Sequence, residues 1–165
     1  MALTLDFQNS AMECALTQAR AARARGEVPV GAAIFSEGGT QIAADGNRIL
    51  ELKDPTAHAE SLVIRRAAAV LGNERLIGCV LAVTLEPCAM CAGAIALARV
   101  RTLIFGAIDP KGGAVISGPR LFEQPTINHR PQTVGPIGPP ECGIILKEFF
   151  ARRRNLFGVP SPRPV

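Results

Sequence analysis

Three side chains suited to a borderline-soft metal ion fall in two short segments: His58 in His58-Ala59-Glu60, and Cys88 and Cys91 in Pro87-Cys88-Ala89-Met90-Cys91. Two thiols three positions apart on a helix share a face, with Cβ atoms about 5–6 Å apart, so both sulfurs reach about 2.3 Å from one zinc ion. His58 supplies a third ligand. Three protein donors that leave the fourth position to water make a catalytic site, whereas a closed structural site needs one donor more. Zinc with an open position lowers the pKa of a bound water from 15.7 to about 7, which supplies a nucleophile at neutral pH. Glu60, two residues from a ligand and not needed as one, is the candidate to carry that water's proton, a role that typically contributes about 10²–10⁴ in rate.

Each part also has a plainer reading. Alone, the cysteine pair fits reduced thiols or a redox-active dithiol at a strand-to-helix junction. His58 alone fits a cap or a core residue, and Glu60 an acid favoured by the dipole of a first helical turn. Their joint occurrence, with a strand-length apolar segment between the two motifs, favours the catalytic zinc site.

These residues must be positioned by elements that the sequence outlines. Ser10 is the expected cap of a helix to about Arg25, with Met12, Ala15, Leu16, Ala19 and Ala22 on its apolar side and Gly26 as the stop. Val30–Phe35 and Ile42–Ala44 are expected to pair as a hairpin through Glu37, Gly38, Gly39 and Thr40. Thr56 is the expected cap of a helix ending at Leu71 before Gly72. Cys79–Leu85 and Thr102–Gly106 have the composition of buried strands, with a helix between them from about Cys88 to Ala98 that Pro87 helps to start. Alternation of strand and helix implies an α/β fold with parallel strands and right-handed crossovers. Ten of the thirteen prolines lie from Pro110 onward, so an irregular region over about 110–140 is expected before a last helix, about 141–154, and a loose tail after 157. Each cysteine–histidine segment then opens a helix, where unpaired N–H groups and the positive dipole end favour thiolates.

Composition sets the boundaries. A chain of 165 residues with 48% hydrophobic and 19% charged residues is expected to form a single domain over 1–165 and has too much to bury for disorder. The longest apolar runs, Ala67–Leu71 and Cys79–Val83, are far short of the roughly 20 residues of a spanning helix, and Met1–Ser10 lacks the basic and apolar segments of a secretory leader. A cytoplasmic, non-membrane protein is expected. Five cysteines, an odd number, argue against a disulfide framework; Cys14, Cys79 and Cys142 match no motif and read as inert thiols. A net charge of +4 permits a polyanionic partner without requiring one.

The His-x-Glu and Pro-Cys-x-x-Cys motifs resemble those of the zinc-dependent cytidine-deaminase-like superfamily. The resemblance is closer to the bacterial tRNA-specific adenosine deaminases, through Glu27-Val28-Pro29-Val30-Gly31-Ala32, Asn47-Arg48, Asp54–Glu60, Thr84–Ala94, Phe105-Gly106-Ala107, Asn128-His129-Arg130 and Phe149–Arg153. It implies a three-layer α/β/α sandwich on a mixed, mostly parallel five-stranded sheet, whose fifth strand, over Gln132–Ile137, is bracketed by Pro131 and Pro136 and so suits an edge strand or none. It also implies a zinc cofactor held by His58, Cys88 and Cys91, with Glu60 catalytic, and hydrolysis of adenosine to inosine at the wobble position of a tRNA anticodon stem-loop by a homodimer. The target base would be flipped into a pocket, from a loop whose bases are already largely unpaired.

By the same resemblance Asn47 hydrogen-bonds the flipped base, Ala59 lends backbone to the pocket, Val30 packs on the ring and Asp109 contacts the substrate backbone. Asn47 also fits a turn after Asp45-Gly46, and Asp109 a turn before Pro110. Asn128, His129, Arg130, Phe149, Arg152 and Arg153 fall in segments that meet RNA in the family; exposed loop residues, a core ring and a solvated helix end are the alternatives. Two other functions stay open: the same zinc acting on a free nucleobase or nucleotide of guanine or cytosine type, and a non-catalytic zinc or thiol protein.

Overall fold

The computed structural model describes residues 3–157; the expected tail after Phe157 lies outside them. The first helix, α1 (Leu5–Ala24), starts before Ser10 and is capped by Thr4, whose side chain accepts the Phe7 N–H at 3.3 Å. Ser10 lies inside the helix, which is a correction to its expected capping role. The extra turn is anchored by Phe7, whose ring meets Phe35 edge-on at 5.4 Å, and by Asp6 at the positive end of the dipole. The expected apolar side is buried, together with Ala11.

The hairpin forms as β1 (Gly31–Phe35) and β2 (Gln41–Gly46), antiparallel. A short helix, α2 (Ile49–Leu52), follows. Its first N–H groups, from Leu50 and Glu51, both donate to Glu27 Oε1 at 2.9 Å, an acid so distant in sequence that local pattern does not announce the helix. The next helix, α3 (Ala59–Leu71), is capped by His58 rather than Thr56. Thr56 instead gives both its N–H and its hydroxyl to Asp54 Oδ1, at 2.8 and 2.7 Å, which closes a turn and delays the helix. Gly72 ends it at φ 62°, as glycine readily does.

The remaining elements are β3 (Val80–Leu85), α4 (Ala89–Leu97), β4 (Thr102–Ala107), β5 (Gln132–Val134) and α5 (Glu141–Phe157). The sheet order is β2-β1-β3-β4-β5. β1 runs antiparallel to both neighbours, while β3, β4 and β5 are mutually parallel, so β1 alone opposes the other four strands. The fifth strand does form, as a three-residue edge. Alternate residues face opposite layers: Leu81, Val83, Leu103 and Phe105 pack against Val63 of α3 and Ile95 of α4, whereas Val80, Ala82 and Ile104 pack against Met12 and Leu16 of α1 and Cys142 of α5. The architecture is the expected α/β/α sandwich. Among the described residues no helix is long and apolar enough to cross a membrane.

Candidate active site

β3 and β4 end side by side, with Leu85 opposite Ala107, and the α3 and α4 helices both begin at that end. Their N-cap residues are His58 and Cys88, each with extended backbone and no side-chain bond to its own helix. Both side chains are therefore free to turn toward each other. His58 Nδ1 lies 3.7 Å from Cys88 Sγ and 3.6 Å from Cys91 Sγ. All three donor atoms lie within 4.8 Å of one another, and no further His, Cys, Asp or Glu joins the group among the described residues.

The electrostatics suit a cation. Hydrogen bonds from Cys91 and His58 pull the Cys88 thiol down to about 4. Cys91 is pushed up, first by its bond with Cys88 and then by burial, and a metal ion displaces thiol protons when it binds. His58 is held above its ordinary value by its bond with Cys88. The Ser61 hydroxyl, 3.9 Å from Cys91 Sγ, adds a polar neighbour. One imidazole nitrogen and two sulfurs are the donor set of a catalytic zinc centre, and His58, Cys88 and Cys91 fit that ion.

Glu60, in the first turn of α3, is 3% exposed, and its Oε2 is buried without a hydrogen-bond partner. Burial raises its pKa, because a carboxylate out of water holds its proton more tightly, and a carboxyl beside a reacting centre is the usual carrier in general acid–base chemistry. A buried polar atom without a partner is costly in a finished fold and common where a reactant is to be met.

A cavity of about 170 Å³ opens beside these groups, lined by Val30, Asn47, His58, Glu60, Cys88 and Asp109, among others. Its size falls below the ~300–1,000 Å³ of drug-sized sites and suits a single base. Asn47 is fixed from two sides: its N–H donates to the Val30 carbonyl at 3.0 Å and its Oδ1 accepts the Ala59 N–H at 2.8 Å. Ala59 is fully buried, its N–H spent on Asn47. The Arg48 guanidinium and the buried Asp45 carboxylate, 2.9 Å apart, brace the same junction. Asp109 is a turn acid and a cavity residue at once, since its Oδ1 accepts the N–H groups of Lys111 and Gly112 at 3.1 and 3.0 Å.

The remaining expected residues fall elsewhere. Phe149 is 8% exposed, in the core, with the Arg153 guanidinium 5.0 Å from its ring centre; its helical spacing with Ile145 and Leu146 buries it, whereas the neighbouring Phe150 is 43% exposed. Phe150 lines a cavity of about 320 Å³ that shares Leu85 and Asp109 with the first. Arg152 is exposed on the α5 helix. Asn128, His129 and Arg130 lead into β5, whose Gln132 pairs with the first residue of β4, about 17 Å of strand away from the metal-ligand end. There His129 Nε2 donates to the Val100 carbonyl at 2.7 Å, and Arg99 donates to the Asn128 carbonyl at 2.6 Å. His129 and Arg130 line a cavity of about 630 Å³ with Arg75, Arg99 and Arg101. The sequence reading missed Ser61, Glu27 and Glu86. The last is a 2% exposed acid between an apolar strand and Pro87, and an ionisable residue in such a run is the signal that it has a task.

Residues 5–107 match the cytidine and deoxycytidylate deaminase zinc-binding region. The chain is 54% identical to a tRNA-specific adenosine deaminase of Agrobacterium fabrum, over 87% of this chain and 93% of that protein. A structure solved in studies of A-to-I editing by tRNA:A34 deaminases at the wobble position of transfer RNA superimposes with a TM-score of 0.81 at 54% identity, covering 83% of this chain and 99% of that one. A guanine deaminase from Nitrosomonas europaea superimposes with a TM-score of 0.68 at 25% identity, covering 92% and 94%.

Proposed function

This chain belongs to the tRNA-specific adenosine deaminases of the zinc-binding cytidine and deoxycytidylate deaminase family, and we propose that it hydrolyses the wobble adenosine of a tRNA anticodon to inosine, with release of ammonia. The observation that carries this reading is Glu60: a buried, unpartnered carboxyl oxygen beside a one-nitrogen, two-sulfur donor cluster, both opening on a cavity of base size.

His58, Cys88 and Cys91 would hold a zinc ion, which when bound would supply an acidified water as the nucleophile for C6 of the base. Glu60 takes one proton of that water and delivers it to ring nitrogen N1, then takes the proton of the new C6 hydroxyl and passes it to the amine, which leaves as ammonia while the C6 carbonyl of inosine forms. Asn47, with its oxygen held by the Ala59 N–H, offers its amide N–H groups to acceptors on the purine. Val30 packs against the ring and the Ala59 backbone forms the pocket floor. Asp109 meets the ribose-phosphate backbone next to the flipped nucleotide.

The RNA would continue past Phe150, Lys111, Lys147 and Arg154, which line adjoining cavities. Arg152 and Arg153 extend that basic face, where each phosphate contact steepens the salt dependence of binding. Asn128, His129 and Arg130 face RNA as part of the arginine cluster at the other end of the sheet. The enzyme acts as a homodimer of single deaminase domains, a reading supported by the exposed Met90 and Leu97 of α4, and it works in the cytoplasm, where tRNA is decoded.

Purified protein offered an anticodon stem-loop with adenosine at the wobble position, beside free adenine, guanine and cytosine, is expected to convert only the stem-loop. Turnover of a free base with the stem-loop untouched would overturn the assignment in favour of a nucleobase deaminase.

A further inference from the structure

We infer that Glu86 is a positioning residue for substrate binding: it holds the 109–117 segment against the metal-ligand turn and so aims Asp109 into the cavity. Glu86 is carried on the strand end that leads directly into Pro87 and Cys88. Its Oε1 accepts the N–H groups of Val115, Ile116 and Ser117 at 3.0, 2.9 and 2.8 Å. Its Oε2 accepts the Asp109 N–H at 3.1 Å and the Ser117 hydroxyl at 2.8 Å. Three successive backbone N–H groups turned onto one oxygen form an anion nest, here filled by the protein's own carboxylate.

The same segment is tied to the metal-ligand turn by backbone. Ala114 N–H donates to the Pro87 carbonyl at 2.9 Å, and Gly113 pairs with Cys88. A Cβ at Gly113 would collide with the Glu86 carboxyl group and the Asp109 carbonyl, so glycine there is what allows the loop to close on the acid. Asp109 uses Oδ1 to shape its own turn and keeps Oδ2 without a protein partner among the described residues. Among the described residues the loop has no other ionic anchor at this point, and the direction of Asp109 follows from where Glu86 holds its N–H.

A glutamine at this position separates the two oxygens. The three-donor nest requires an acceptor, so the amide NH₂ must occupy the Oε2 place and face the Asp109 N–H, while the Ser117 hydroxyl turns to accept from it. Glu86→Gln therefore releases Asp109 and leaves the 115–117 nest closed. This inference rests on the reading of Asp109 as a substrate contact.

The test is steady-state kinetics on the wobble-adenosine stem-loop for Glu86→Gln, Asp109→Asn and their combination, with zinc content and melting temperature measured on the same preparations. The expected result is a KM raised about tenfold by either change, kcat and zinc content near wild type, and a double variant no worse than Asp109→Asn alone, because coupled groups are non-additive. Gly113→Ala, which pushes the loop off the carboxylate from the other side, is expected to raise KM in the same way and to be equally non-additive with Asp109→Asn. Multiplicative losses, or a Glu86→Gln protein that loses zinc or falls in kcat alone, would overturn the inference. A wild-type KM in Asp109→Asn would instead overturn the substrate role of Asp109, which is a different outcome.

Discussion

The side-chain oxygen of Asn47 accepts the backbone N–H of Ala59 at 2.8 Å, so one amide from the β2–α2 junction closes the N-terminus of the helix that starts beside His58. The orientation of the amide follows, since its oxygen is committed to the helix and its nitrogen is left for the cavity. Asn47 is thus a helix partner through its oxygen and lines the cavity, which leaves its nitrogen for the proposed purine contact.

Asn47→Asp keeps the acceptor and removes the donor. It is expected to melt like the wild type while kcat/KM on the stem-loop falls about tenfold or more, the range of a lost hydrogen bond in a closed site. Asn47→Ala loses the helix partner as well and costs about 1 kcal/mol of stability. Thermal melts and single-turnover rates on both variants check this; full activity in the aspartate variant would contradict it.

Glu60→Gln should leave zinc content unchanged and the melting temperature equal or higher, because a buried acid held without a partner is replaced by a neutral group. Turnover is expected to fall by about 10²–10⁴. Inosine yield per enzyme decides it, and a loss smaller than tenfold would remove Glu60 from the proton path.

The two adjacent phenylalanines are expected to behave as opposites. Phe149→Ala removes a core ring and costs about 3–5 kcal/mol of stability. Phe150→Ala removes an exposed one, with stability changed by about 0.5 kcal/mol or less, and weakens stem-loop binding by the ~1–3 kcal/mol of one stacked base. Urea unfolding beside RNA titration separates them.

The α5 helix is tied to α1 where the Arg20 guanidinium meets the Glu141 carboxylate at 2.7 Å. Arg20 holds that carboxylate below the usual range. A depressed carboxylate pKa gives stability that is present above the ordinary carboxylate range and disappears as pH falls through the folded-state value. Glu141→Gln is therefore expected to melt slightly lower than wild type at neutral pH and low salt, with the difference closing in acid and in high salt, since the pair is solvent-exposed. A difference that persists in acid would mean that the glutamate acts by something other than its charge.

The sequence made the ligand set legible because zinc chemistry constrains residue type and spacing so tightly: His58, Cys88, Cys91 and Glu60 lie together as their motifs require. The buried strands were legible from their continuous apolar runs, and the helix ends from Gly26 and Gly72. Long-range hydrogen bonds left no such trace. Glu27 capping α2 and Glu86 gathering the 109–117 segment both act across more than twenty residues. Thr56 has the chemistry of a cap, yet its turn with Asp54 moved the helix start to His58. Phe149 and Phe150 are identical as residue types, and only the packing of α5 decides which ring is free.

X-ray absorption at the zinc edge, on protein carrying one metal ion per chain, tests the central claim most directly. It should find two sulfurs at about 2.3 Å, one nitrogen at about 2.0 Å and one oxygen completing a four-coordinate shell, with the metal lost in His58→Ala and retained in Glu60→Gln. A shell filled by a third sulfur or a second imidazole, with no place left for water, would contradict the hydrolytic mechanism.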